Sequence, residues 1–228
     1  MHIPEGYLGP QTYIAGYAVM VPVWALASRY LNKSLRARQV PLLAQGAAFS
    51  FLIMMFNVPI PGGTSGHAVG AVLVAVLLGP WAACVAVSVA LVVQALVFGD
   101  GGVTAIGANC FNMAFVMPFA GYAIYRLVAG RSDARSSRRW IGAGIGAYVG
   151  LNLAALCTGI EFGIQPLLAH DLAGTPLYAP YPLQVAVPAM LFTHLALFGF
   201  IEAVATSLVV AYLQRTEPRL IVGVEPVT

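Results

Sequence analysis

Long apolar runs, each close to the thickness of a bilayer when helical, follow one another along this chain. In order they cover residues 11–29, 40–57, 64–79, 81–99, 103–126, 140–161 and 183–213. They are continuously apolar, which predicts helices rather than the alternating segments of about ten residues that build a closed barrel. A helix needs about 20 apolar residues to span hydrocarbon, and fewer where neighbours shield its ends. The third run is short and glycine-rich, and it meets the fourth at Gly79-Pro80 with no polar linker. The pattern predicts an all-α membrane protein: one domain of seven transmembrane helices over residues 1–214, then a tail over 215–228.

Composition removes the soluble alternative. Of 228 residues, 60% are hydrophobic and 8% charged, and the mean hydropathy is +0.84. A soluble domain carries roughly a quarter charged residues, and so few charges cannot cover a water-facing surface. Cys84, Cys110 and Cys157 lie in apolar runs without metal-cluster spacing and read as small buried hydrophobes.

Charge placement then sets the orientation. All 11 Lys and Arg fall in three places. Arg29, Lys33, Arg36 and Arg38 follow the first run; Arg126, Arg131, Arg135, Arg138 and Arg139 lie between the fifth and sixth; Arg215 and Arg219 follow the seventh. Seven helices with an external N-terminus put all three clusters, and the C-terminus, in the cytoplasm. The outside then holds Met1–Pro10, the loop Asn57–Gly66, the turn Gly99–Gly102 and the proline-rich loop Phe162–Pro182. Gly146 and Gly150, four residues apart, predict close helix packing.

No Lys or Arg precedes Arg29, so no secretory signal is expected. Met1 is expected to remain, because His2 is not a small residue. This makes the terminus chemically interesting. A free amine at Met1, the deprotonated His2 amide nitrogen and the His2 imidazole can chelate one metal through adjacent five- and six-membered rings. Three nitrogens are thereby held in a plane, a geometry that suits Ni(II) and Cu(II). A fourth nitrogen must come from elsewhere, and His67, on the same external side, is the candidate. Other chemistries lack their residues. The only lysine, Lys33, stands in no phosphate-binding loop, so any ATP hydrolysis must belong to another chain. The basic residues flank membrane helices, which argues against nucleic acid.

Four segments, MHIPEGYLGPQTY, PIPGGTSGHAVGAVL, TAIGANCFNMAFVMPFAGYAIYR and AVPAMLFTHLALFGFIEAVATSLVVAYLQ, together resemble the CbiM/NikM family. These are the substrate-binding (S) components of energy-coupling factor (ECF) transporters for nickel and cobalt. The resemblance covers nearly all of residues 1–214, and its most specific parts are MHIPEG and GGTSGH. It implies a seven-helix bundle with the N-terminus threaded inward toward the histidine loop. It implies that Met1 (amine), His2 (amide and imidazole) and His67 hold the cargo metal, Ni(II) or Co(II). It also implies partners: a membrane coupling (T) component, two cytoplasmic ATPase (A) subunits and, in some systems, a further small membrane subunit. The expected location is the cell membrane of a prokaryote.

The remaining polar residues admit two readings each. Asn109 and Asn112 can hold helices together or orient His67, since a metal-bound imidazole normally donates its second N–H. Thr64 and Ser65 can orient His67 or cap the third helix. His194 and Glu202, ionisable groups inside the membrane, suggest coupling or structural pairing rather than metal ligation. A self-sufficient secondary transporter or channel is the alternative function, and it would need a longer string of such groups. A membrane enzyme would need a nucleophile and a base at recognisable spacing.

Overall fold

The computed structural model describes residues 1–34, 37–60 and 64–221. Arg36, the Pro61-Gly62-Gly63 part of the histidine loop and tail residues 222–228 lie outside the described residues. The chain is mainly helical. Helix α1 is Pro10–Ser34 and α2 is Val40–Met54. A small hairpin follows, β1 Val58–Ile60 against β2 Thr64–Gly66, with Pro59 opposite Ser65. Then come α3 (Ala71–Leu78), α4 (Pro80–Phe98), α5 (Ile106–Ala129), α6 (Ser137–Gly163, continued by the turn Gln165–Leu168) and α7 (Leu183–Thr216). Five of these, all but α2 and α3, are long and apolar enough to cross a membrane. Many large side chains on their outer faces, among them Phe192, Phe200, Val204 and Leu208 on α7, are exposed, as expected of a multi-pass membrane protein.

The third element departs from the sequence expectation. A helix was expected over 64–79, but Thr64–Gly66 pairs as a strand and the helix starts only at Ala71. The glycines explain why. Gly70 takes φ +75, a conformation that most residues avoid, so the helix cannot run back through it. Gly66 lies where any Cβ would fall 1.9 Å from the Phe198 ring of α7. The segment 66–70 is thus an irregular stretch of backbone laid against α7. At the other end, Gly79 (φ +88) turns the chain directly into Pro80, which opens α4.

The centre of the bundle is glycine-packed. A Cβ on Gly146 would stand 2.3 Å from the Gly121 carbonyl oxygen, and one on Gly150 would stand 2.7 Å from the Met117 oxygen. Helices α5 and α6 therefore touch backbone to backbone. Gly144, on another face of α6, admits Ser207 of α7.

Three long helices widen into π-helical turns: α4 at Gln94–Phe98, α5 at Cys110–Val116 and α7 at His194–Phe198. Such turns release a carbonyl from the regular ladder and re-aim nearby side chains, and they recur at functional sites. The α5 turn is followed by Pro118, which has no N–H to donate. The turns of α4 and α7 carry Gln94 and His194, two of the buried polar residues.

Candidate metal centre

The N-terminal segment is not a free tail. Met1 and Ile3 are fully buried and His2 is 3% exposed. Backbone and side-chain hydrogen bonds thread the segment into the bundle. Asn109 of α5 clamps Ile3 at both ends of its peptide: the Ile3 N–H donates to Oδ1 at 2.9 Å and Nδ2 donates to the Ile3 oxygen at 3.3 Å. Gly102 N–H donates to the same Ile3 oxygen at 2.8 Å. Further along, Gly9 N–H reaches Gln165 and Ala179 N–H reaches the Tyr7 oxygen.

This threading carries the first two residues to the histidine loop. The Met1 amine contacts the Ser65 carbonyl oxygen, and Thr64 Oγ1 donates to the His2 oxygen at 3.0 Å. The His2 and His67 rings stack with centroids 4.5 Å apart and planes 25° from parallel. Their outer nitrogens are already engaged. His2 Nε2 faces Gln94 Oε1 at 3.2 Å, and His67 Nδ1 faces the Ala68 oxygen at 3.0 Å. Both partners are acceptors, so these nitrogens carry the protons, and His2 Nδ1 and His67 Nε2 are left as bare lone pairs. Those two atoms are buried without a hydrogen-bond partner among the described residues. Leaving buried polar atoms unpaired costs roughly 1–3 kcal/mol each, which makes this pair a candidate place for an ion.

Electrostatics suit a neutral nitrogen set. Burial pushes the Met1 amine down to about 4 and the His2 imidazole down to about 3. Burial also holds His67 well below the ordinary imidazole range, with the adjoining amine and His2 adding to the effect. At neutral pH all three are unprotonated bases, ready to donate lone pairs to a metal. Among the described residues no three His, Cys, Asp or Glu side chains cluster as a metal site; two of the four candidate donors, the terminal amine and the His2 amide, belong to the main chain.

The other sequence candidates divide. Thr64, Ser65 and Asn109 do touch the N-terminal segment, but the expected orienting bond from Asn109 or Asn112 to His67 is not what the structure contains. His67 is oriented by its neighbour's carbonyl instead, its Nδ1 lying 3.0 Å from the Ala68 oxygen. Asn112 instead bonds Thr158 and Glu161 of α6. Neither Thr64 nor Ser65 caps α3, which begins five residues beyond Gly66. That helix start is held by Glu202, whose carboxylate accepts from Val69 N–H at 2.7 Å and Gly70 N–H at 2.9 Å. Glu202 therefore anchors the loop carrying His67. His194 Nδ1 lies 2.7 Å from the Met190 oxygen, and its Nε2 is a third buried, unpaired imidazole nitrogen.

Residues 2–220 match the family described as the cobalt uptake substrate-specific transmembrane region. The chain belongs to the CbiM family. A fused nickel transport protein NikMN of Rhodobacter capsulatus is 56% identical over 97% of this chain, which covers 64% of that protein. A probable fused nickel transport protein LarMN of Lactiplantibacillus plantarum is 50% identical over 96% of the chain and 66% of its own length. The chain thus spans about two thirds of these fused relatives. A putative metal transport protein of Methanocaldococcus jannaschii, 47% identical, is covered over 96% of its length. A crystal structure of a truncated transition metal transporter superposes with a TM-score of 0.91 at 56% identity, covering 95% of this chain and 99% of that one. These relatives are metal transport proteins, not enzymes.

Sequence reasoning missed two residues of this CbiM-family site. Gln94 was legible in principle, as a lone amide inside the apolar run Val92-Val93-Gln94-Ala95-Leu96. Asp100 stood in a glycine turn that read only as a connector. Its Oδ1 lies 3.4 Å from His2 Nδ1, and partial burial raises its pKa.

Proposed function

We propose that this chain is the substrate-binding subunit of an ECF-type importer and that it captures Ni(II), with Co(II) the less favoured cargo. The observation that carries the reading is the meeting of the Met1 amine, His2 Nδ1 and His67 Nε2 in one buried place, the two imidazole nitrogens having no hydrogen-bond partner among the described residues. The amine, the His2 amide nitrogen and His2 Nδ1 form the two fused chelate rings, and His67 Nε2 closes the plane. Binding releases the amide proton to water. Gln94 and the Ala68 carbonyl hold the two imidazoles in the tautomers that ligation requires, and Asn109, Thr64 and Glu202 hold the segments that bear them.

A planar set of four nitrogens favours nickel over cobalt. Nickel transport proteins among the close relatives support that choice, while a 32% identical cobalt transport protein CbiM of Chlorobium limicola keeps cobalt as the second cargo. The proposed partners are a membrane coupling component and two cytoplasmic ATPases, with room for a small additional membrane subunit. In the proposed topology α2 and α3 complete a set of seven passes in a prokaryotic cell membrane, with the metal centre and its histidine loop external and the basic clusters cytoplasmic. Cysteines placed at 33 and 135, in a background lacking the native three, then resist impermeant thiol reagents in intact cells; labelling at both overturns the orientation. The cargo is tested by titrating purified protein with Ni(II) and Co(II). Tight binding of nickel with the visible absorption of a diamagnetic planar complex is expected, and a six-coordinate spectrum rules out the four-nitrogen plane.

A further inference from the structure

The mouth of the metal centre holds a carboxylate that the four-nitrogen set does not use. Asp100 lies in the turn after α4, between Gly99 (φ +68) and Gly101 (φ +90). Its Oδ2 accepts from Asn57 Nδ2 at 3.2 Å, which fixes the group against the β hairpin, and its Oδ1 points to His2 Nδ1 at 3.4 Å. Because the other His2 nitrogen, Nε2, keeps its proton and donates it to Gln94 Oε1, the Asp100 oxygen faces a bare lone pair on Nδ1. Two acceptors opposed in this way repel each other, and a cation between them removes the repulsion. They border a cavity of about 270 Å³ that His2, Glu5, Asn57, Thr64, Ser65 and Asp100 help to line. This cavity joins the buried donors to the surface, since Asp100 is 22% exposed while His2 is 3% exposed.

Charge gives a second, independent argument. A divalent cation bound by one deprotonated amide and three neutral nitrogens leaves a net charge of plus one inside the protein. An uncompensated buried charge costs several kcal/mol. One adjacent carboxylate makes the assembly neutral, and Asp100 is the acidic side chain in contact with a ligand ring. Glu5, the other carboxylate at the mouth, is committed to the Thr104 N–H and hydroxyl.

We propose that Asp100 receives the incoming divalent metal cation, docking it between its carboxylate and His2 Nδ1, and remains as the compensating charge once the nitrogen plane closes. The inference rests on the four-nitrogen reading above. The test is stopped-flow binding of Ni(II) to the purified full chain at several ionic strengths. For wild type, association slows as salt rises. Asp100→Asn preserves the acceptor for Asn57 but removes the charge; it associates about tenfold more slowly at low salt, as loss of electrostatic focusing implies, and its rate hardly depends on salt. Asp100→Glu keeps the salt dependence, and Asp171→Asn, in the exposed 162–182 loop, behaves as wild type. An Asp100→Asn variant that keeps both the wild-type rate and its salt dependence, while His67→Ala loses affinity, overturns this inference alone. A wild-type chain that takes no Ni(II) overturns both.

Discussion

At Gly121 and Gly146 two helices meet backbone to backbone, and the contact is one of shape: small residues, van der Waals separation, each peptide group satisfied within its own helix. At Met1 and His67 several segments distant in sequence meet through polar groups. Asn109 holds Ile3, Thr64 holds His2, Gln94 faces His2 and Glu202 holds Val69 and Gly70. The helix contact tolerates no added atom, whereas the metal centre is left short of partners, with unpaired nitrogens inside it. One region stores stability and the other gives some of it up to buried nitrogens without hydrogen-bond partners.

This contrast can be broken from either side. The largest effect is expected at Gly146→Val, whose side chain meets the carbonyl of Gly121 and has nowhere to go. We expect a loss of more than about 3 kcal/mol, the upper end of overpacking costs, seen as loss of monodisperse protein in size exclusion; normal folding and metal uptake would show that the two helices can separate freely. Next comes one alanine added before Met1. It turns the buried amine into an amide, so Ni(II) affinity falls by about 100-fold or more, beyond the usual outer-shell penalty, while the elution profile is kept. Calorimetry on this variant beside a C-terminally tagged control decides it, and equal affinities remove the amine from the ligand set.

His67→Ala is expected to cost at least the roughly 10–100-fold of an outer-shell change, with His170→Ala, on the exposed loop, unaffected. Gln94→Leu sharpens the comparison further. It removes no ligand, only the acceptor that fixes the His2 tautomer, and a loss nearer about 10-fold is expected; no loss would mean that packing alone orients the ring.

The smallest effect is one of pH. Burial lowers the amine and the His2 ring in the fold to about 4 and about 3 from their ordinary values of 8.0 and 6.5. Between pH 8 and pH 4 the unfolded chain therefore binds more protons than the folded one, so stability of the metal-free protein rises with pH and is lost as pH falls through that window. A lower melting temperature at pH 5.5 than at pH 8 checks the sign. Metal binding is affected differently. Because the amine is already unprotonated, only the amide proton is released, and log K should change by about one per pH unit. A slope of two would show that the amine binds a proton at neutral pH after all.

The glycine contact was half legible: Gly146 and Gly150 announced a packing face, but its partner, Gly121, was not marked as such by spacing. The candidate metal centre could be proposed from sequence where chemistry is carried by residue type at a special position. A histidine in second place predicts a chelate whatever the fold, and the motif resemblance singled out His67. The supporting residues were harder to read. Asn109 and Gln94 are amides in apolar runs, and nothing local says whether such a group ties two helices or a terminus. The helix expected over 64–79 failed because apolar content was weighed without the φ demanded of Gly70 or the ring pressed on Gly66.

The sequence by itself determined that the chain is helical, apolar and built for a membrane, because periodicity, charge scarcity and the grouping of basic residues are local or additive properties. It also offered the Met1 amine and the His2 amide and imidazole as candidate donors, since the chelate rings they would form close over covalent bonds. Only the tertiary structure decided which contacts hold the terminus, which tautomer His2 adopts, that Glu202 serves the loop instead of His194, and that a carboxylate faces the unshared lone pair of His2. These depend on contacts such as Thr64 to His2, Gln94 to His2, Asp100 to His2 and Glu202 to Val69, from about 60 to more than 130 positions apart, and their geometry exists only once helices have packed and the low-dielectric interior has made an unpaired atom expensive.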